Sequence, residues 1–353
     1  MKNTNGQSTN TSKKLTPVST LGEFGLIKHL TQNIRLKHAS SIKGVGDDAA
    51  VIQSPADQQT VISTDLLIEG IHFDMAYTPL QHLGYKSVVV NLSDIYAMNA
   101  TPQQITLAIG ISSRFTVEAL DEFYKGVRRA CDFYNVDLIG GDTTSSNKGL
   151  IINITAIGTA PAKEIVYRSG AKEGDLIVVS GDLGAAYLGL QLLEREKQIF
   201  LEHPDVQPEL KFPYVLERFL KPEARQDLIS QFKRHRIQPT SMIDISDGLS
   251  SELLHICEAS KVGCAVYEEN IPINSEAQQL ALQFKVSPTT CALSGGEDYE
   301  LLFTIDPKHR EVLEDLADIG VKIIGQIQAL ENGRKLYTRD NNYDLIAQGW
   351  KHL

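Results

Sequence analysis

Six segments of the chain set an acidic residue beside glycine or a small hydroxyl residue where an apolar run stops or meets a helix. They are Gly44-Val45-Gly46-Asp47-Asp48-Ala49-Ala50, Ser63-Thr64-Asp65, Asn91-Leu92-Ser93-Asp94, Gly140-Gly141-Asp142-Thr143, Asp244-Ile245-Ser246-Asp247-Gly248 and Ser294-Gly295-Gly296-Glu297-Asp298. One Asp-Gly pair is ordinarily a turn. Six such segments, spread through alternating strand-like and helix-like stretches, predict an α/β fold whose strand ends and facing helices carry carboxylates. Hard cations such as Mg²⁺ take oxygen ligands, so a few carboxylates plus phosphate oxygens suit them. Glycines beside those carboxylates let backbone N–H groups approach phosphate closely.

The periodicity predicts a helix over 21–30, strands over 49–52 and 60–63, a long helix over 79–98, a strand over 105–111, a helix over 117–134, and strands over 136–139 and 150–157. The Pro- and Gly-bearing stretch 160–174 reads as a boundary. Beyond it come a strand at 176–180, a helix starting at 184–186, a polar helical insertion over 194–236, a strand at 242–245, a helix through Ala259, and strands at 299–304 and 322–327 around a helix at 309–316. The division is a flexible tail over 1–20, a first domain over 21–160 and a second over 161–353. On the long helix, Asn91, Asp94 and Met98 share a face, with Lys86 and Val90 on a neighbouring stripe. Val88, Val89, Val90, Leu92 and Ile95 make that helix apolar most of the way round, so an aspartate there is costly unless a cation or donor satisfies it.

With 353 residues, 42% of them hydrophobic, the chain can bury a full core in two domains. Its 34 basic and 44 acidic residues leave a net charge of −10, which argues against general attraction to nucleic acid or anionic membrane. Cys131, Cys257, Cys264 and Cys291 form no zinc-ligand spacing and read as reduced thiols. No apolar run reaches the roughly 18 residues of a membrane span and no signal peptide is visible, so the cytoplasm is the expected compartment. There is no GxxxxGK[ST] loop, no GxGxxG opening a helix and no protein-kinase signature set, so any nucleotide must be held by another device.

The ordered set GVGDDAA, STD, EGIHF, NLSDIYAM, LIGGDTT, RSGAKEGD, ISDGL and SGGEDYEL, from Gly44 to Leu301, resembles the thiamine-monophosphate kinase family. Some of these motifs are shared with the wider superfamily of aminoimidazole ribonucleotide synthetase. The resemblance implies ATP-dependent phosphorylation of thiamine monophosphate to thiamine diphosphate. It implies an aminoimidazole ribonucleotide synthetase-like first domain pairing with its twin across a barrel-like sheet in a homodimer, and a C-terminal α/β domain. It assigns Asp48, Ser63, Thr64, Asp65, Asp94, Asp142, Asp244 and Asp247 to several Mg²⁺ ions. Tyr134, Gly141, Asp142, Arg168 and Ser246 are assigned to ATP, and His72, Glu297 and Trp350 to the thiamine phosphate. Trp350 could equally close the C-terminal core. Two other readings stay open: another ATP-using enzyme of the same superfamily, and a non-catalytic metal- or nucleotide-sensing module.

Overall fold

A computed structural model describes residues 15–45 and 51–347. The segment 46–50, with Asp47 and Asp48, and the segment 348–353, with Trp350, lie outside the described residues. The N-terminal half opens with α1 (Gly22–Thr31) and an antiparallel pair, β1 (Ser41–Lys43) and β2 (Val51–Ile52). It continues through β3 (Gln58–Ile68), α2 (Leu80–Ala97), β4 (Thr101–Ile111), α3 (Val117–Phe133), β5 (Asp137–Ser145) and β6 (Leu150–Pro161). The last four strands form a sheet in the order β3-β6-β4-β5, antiparallel except for β4 beside β5.

α2 packs on this sheet and on α3, and also touches elements from the C-terminal half. It is buried nearly all round, as its valines and leucines require. The two helices meet backbone to backbone. A Cβ added at Gly84 would overlap the Phe123 carbonyl oxygen, and one at Gly126 would overlap that of Gln81.

In β3 the alternation sends Ser63 and Asp65 toward α2, while Ile62, Thr64 and Leu66 sit on the outer, exposed face. The strand is longer than its apolar run predicts and carries Ser63-Thr64-Asp65 in its middle, where a turn is expected from sequence. β5 likewise runs through Gly140-Gly141-Asp142-Thr143. It is an edge strand with one open side, so polar residues can occupy it without burying unpaired groups.

The C-terminal half comprises β7 (Leu176–Val179), α4 (Ala185–Glu202), α5 (Pro213–Leu220), α6 (Gln226–His235), β8 (Ser241–Asp244), α7 (Leu249–Ser260) and β9 (Gly263–Tyr267). It ends with α8 (Ser275–Gln283), α9 (Pro288–Ser294), β10 (Leu301–Ile305), α10 (Arg310–Asp315), β11 (Lys322–Gln328), β12 (Arg334–Tyr337) and β13 (Asn342–Asp344). Seven strands pair in the order β13-β12-β9-β11-β7-β10-β8. The apolar cluster under the first sheet continues into this half through Met242, Phe232 and Phe303. The two α/β halves thus share buried surface.

Glycine to alanine inside a helix ordinarily gains about 0.5–1 kcal/mol. Gly126→Ala should instead lose about 1–3 kcal/mol, because α2 and α3 must part to admit the methyl group. Urea denaturation of the variant checks this.

Candidate active site

Three aspartates reach the junction of the halves from three elements. Asp65 comes from β3, and its backbone N–H donates to Asn91 Oδ1 on α2 at 2.9 Å. Asp94, one turn further along α2, accepts from the Ser63 hydroxyl. Asp244 ends β8 and accepts from the Ser93 hydroxyl at 2.7 Å. Serine hydroxyls therefore aim the Asp94 and Asp244 carboxylates, and Asn91 holds the Asp65 backbone.

The electrostatics show that these groups feel one another. Burial, followed by Asp94 and Glu297, pushes Asp65 up from 3.8 to about 6. Burial and then Asp94 push Asp244 up to about 7, against the opposing hydrogen bond from Ser93. Asp94 is also raised, burial outweighing the Ser63 hydroxyl and the attraction of Arg168. Arg168 is the cation that bears on both Asp94 and Asp244, and it does not offset their burial. Among the described residues no three carboxylate, imidazole or thiol groups are already gathered round one point as ligands. The arrangement is a set of oxygen donors with unmet negative charge.

A second layer fixes the turn after β8. The Asp247 N–H donates to Glu252 Oε1 at 3.0 Å, and the Ser246 carbonyl accepts from the Glu297 N–H at 2.7 Å. A Cβ on Gly296 would overlap that same carbonyl, so the close approach needs glycine. Glu297 binds Lys86 through one carboxylate oxygen and accepts from the Tyr299 hydroxyl through the other, at 3.1 Å.

The comparisons with known proteins cover nearly the whole chain. Residues 46–160 match the N-terminal domain, and 172–335 the C-terminal domain, of AIR synthase related proteins. Thiamine-monophosphate kinase of Bacillus subtilis (strain 168) is 35% identical over 341 residues, 94% of this chain and 100% of the relative. The chain belongs to the thiamine-monophosphate kinase family. The solved thiamine-monophosphate kinase of Stenotrophomonas maltophilia K279a superposes with a TM-score of 0.75 at 31% identity, covering 91% of this chain and 95% of that one. AaThiL complexed with AMPPCP and TMP gives 0.72 at 29% identity, covering 97% and 100%.

The other positions singled out in the sequence fall in different places. The Thr64 hydroxyl lies on the outer face of the sheet and donates to the Ile154 carbonyl at 3.0 Å, away from Ser63 and Asp65. Asp65, Ile154, Leu107 and Gly141 form one row across the sheet, so Gly141 and Asp142 stand three strands away. That is roughly 14 Å at about 4.8 Å per strand. Tyr134 is buried, with its hydroxyl donated to Glu223 at 2.7 Å, and offers no free face to a nucleotide. Tyr124, which the sequence did not single out, borders the small recess beneath Gly141, Asp142 and Thr143. His72 follows β3, where its Nδ1 accepts from the Ile68 N–H at 3.1 Å.

The raised carboxyls have a measurable consequence for a thiamine-monophosphate kinase of this build. Asp65 and Asp244 bind protons more tightly folded than unfolded. Their contribution to stability is complete below the ordinary value of 3.8 and is lost as pH rises through about 6 and about 7. The metal-free protein should therefore melt at progressively lower temperature between about pH 4 and about pH 7, and Asp244→Asn should flatten the slope. Thermal melts in chelator across that range give the answer, and a rising profile would contradict the shared repulsion.

Proposed function

We propose that this protein transfers the γ-phosphoryl group of ATP to the phosphate of thiamine monophosphate, producing thiamine diphosphate in thiamine biosynthesis. The observation that carries the reading is the structural likeness, over 97% of the chain, to a protein that holds an ATP analogue and TMP together. The acceptor is a phosphate monoester with a second ionisation near pH 6, largely dianionic at neutral pH, so no general base is required. The barrier is the meeting of two polyanions, where each pair of unit charges about 4 Å apart costs roughly 4 kcal/mol at an effective dielectric near 20.

The donor set fits Mg²⁺. Buried, mutually repelling oxygens whose burial Arg168 does not offset are what a hard divalent ion relieves. Asp65, Asp94 and Asp244 would hold such ions with Ser63, and Asp48, Asp142 and Asp247 are proposed as further ligands. Bound Mg²⁺ would supply charge neutralisation and in-line alignment of the phosphates. The chain's own part is positioning. Asn91, Ser63 and Ser93 fix the aspartates, Arg168 adds positive charge, and the turn Ser246-Asp247-Gly248 is clamped by Glu252 and Glu297. Transfer is direct, without a phosphoenzyme.

A homodimer is part of the same proposal. Ile62 and Leu66 are 64% and 48% exposed on the sheet face away from α2, where pairing with a second copy would bury them. The compartment proposed is the cytoplasm: the four cysteines are free and buried, and among the described residues no helix is long and apolar enough to cross a membrane.

Phosphorus NMR of ATP, Mg²⁺ and thiamine monophosphate with the protein should show new pyrophosphate resonances. Asp94→Asn should lower kcat roughly a hundred-fold or more while the circular dichroism spectrum is unchanged. Near wild-type turnover of that variant at limiting Mg²⁺ would remove Asp94 from the metal set. Leu66→Asp should convert a dimer to a monomer in sedimentation, and an unchanged mass would count against this face as the interface.

A further inference from the structure

Lys86 is a buried cation in α2, a helix that is apolar over most of its surface. It is 4% exposed, and its ammonium reaches out of α2 into the C-terminal half. There it donates to the Phe219 carbonyl at 2.9 Å, sits 4.1 Å from the centre of the Phe219 ring and pairs with Glu297. A lysine so placed is tolerated only because partners meet its charge.

Glu297 is held from three directions. Lys86 takes one carboxylate oxygen, the Tyr299 hydroxyl takes the other, and the Glu297 N–H is tied to the Ser246 carbonyl at 2.7 Å. Its backbone φ of 64° and that of Tyr299, 53°, are left-handed, a strained conformation for these residues. The Tyr299 N–H is bonded to the Ile245 carbonyl at 2.9 Å, which keeps the loop in that shape. The side chain of Glu297 is nevertheless 28% exposed, and it is close enough to Asp65 to raise that group's pKa. A carboxylate pinned at both oxygens still has lone pairs to offer the open side, directed at one place.

We propose that Lys86 and Tyr299 are positioning residues that lock Glu297 as an acceptor for the nitrogen-bearing, cationic organic part of the phosphate acceptor. This rests on the reading that the acceptor is thiamine monophosphate and that Glu297 lines its site. Lys86 acts through Glu297, and because it stands on α2 with Asn91 and Asp94 it ties acceptor recognition to the helix that carries Asp94.

The test is steady-state kinetics with ATP and thiamine monophosphate varied separately, on the full-length protein with Mg²⁺. Lys86→Met keeps an unbranched stem without the charge, Lys86→Arg keeps the charge, and Tyr299→Phe removes only the hydroxyl. Lys86→Met should raise KM for thiamine monophosphate by about tenfold or more, the scale of a hydrogen bond to a charged group, with KM for ATP little changed. Lys86→Arg should recover part of the loss, and Tyr299→Phe should act in the same direction more weakly. In a Glu297→Gln background, Lys86→Met should add little, since the residue it positions is already altered. Additive effects, or equal changes in the two KM values, would overturn the positioning role. If Lys86→Met fails to fold, Tyr299→Phe alone decides: an unchanged KM for thiamine monophosphate rejects the proposal. Absence of any transfer by the unaltered protein would instead overturn the substrate reading and this proposal with it.

Discussion

Negative charge buried against a nearly apolar helix is the constraint around which the two halves are arranged. Asp65, Asp94 and Asp244 are each raised first by burial, and Asp94 contributes to raising both of the others. Desolvation of that kind opposes folding, so the fold must be held by other interactions and the aspartates kept for what they do. The apolar cluster running from the first sheet into the second supplies the hold. The hydroxyls of Ser63 and Ser93 reduce the penalty without removing it.

α2 organises the site because it offers two polar stripes within an apolar surface. Asn91 and Asp94, at i and i+3, turn to β3, where they meet the Asp65 backbone and the Ser63 hydroxyl. Lys86 and Ser93, at i and i+7, turn to the C-terminal half, where they meet Glu297 and Asp244. One rigid helix therefore sets the separation of carboxylates that belong to different halves. Its position is itself fixed by the glycine contact with α3, which leaves no room for the helices to slide closer.

Much of this was legible in the sequence, and the failures have physical causes. The cost of Asp94 in an apolar helix, and its shared face with Asn91, follow from periodicity alone. The stripe with Lys86 and Ser93 could have been read the same way, but two polar residues seven apart are also what a solvated face would show. Strand parity already separates Thr64 from Ser63 and Asp65, so its outward hydroxyl was available to a reading that took 58–68 as a single strand. Tyr134 could not be placed, because its hydroxyl partner Glu223 lies 89 residues further along the chain. β9, β12 and β13 went unnoticed because, at three to five residues, they show no period and also lack the continuous run of leucine, isoleucine and valine that marks β7.

The segment Glu297-Asp298-Tyr299-Glu300 shows how strain is kept in place. Successive side chains leave the backbone in opposing senses: Glu297 to Lys86, Asp298 to the Gly184 N–H at 2.9 Å, Tyr299 back to Glu297, and Glu300 into a buried pairing with Arg218 and Arg225 at 2.9 and 2.8 Å. Left-handed backbone at two non-glycine residues costs of order 1–2 kcal/mol each. Glu300 anchors the far end, since its carboxylate also accepts from the Ser180 hydroxyl at 2.7 Å and cannot leave without depriving two buried guanidinium groups of a partner. The near end is stitched to Ile245 and Ser246, directly after the strand that delivers Asp244. With both ends fixed, the strained residues cannot relax, and Glu297 stays in register with the aspartates on α2 and β3.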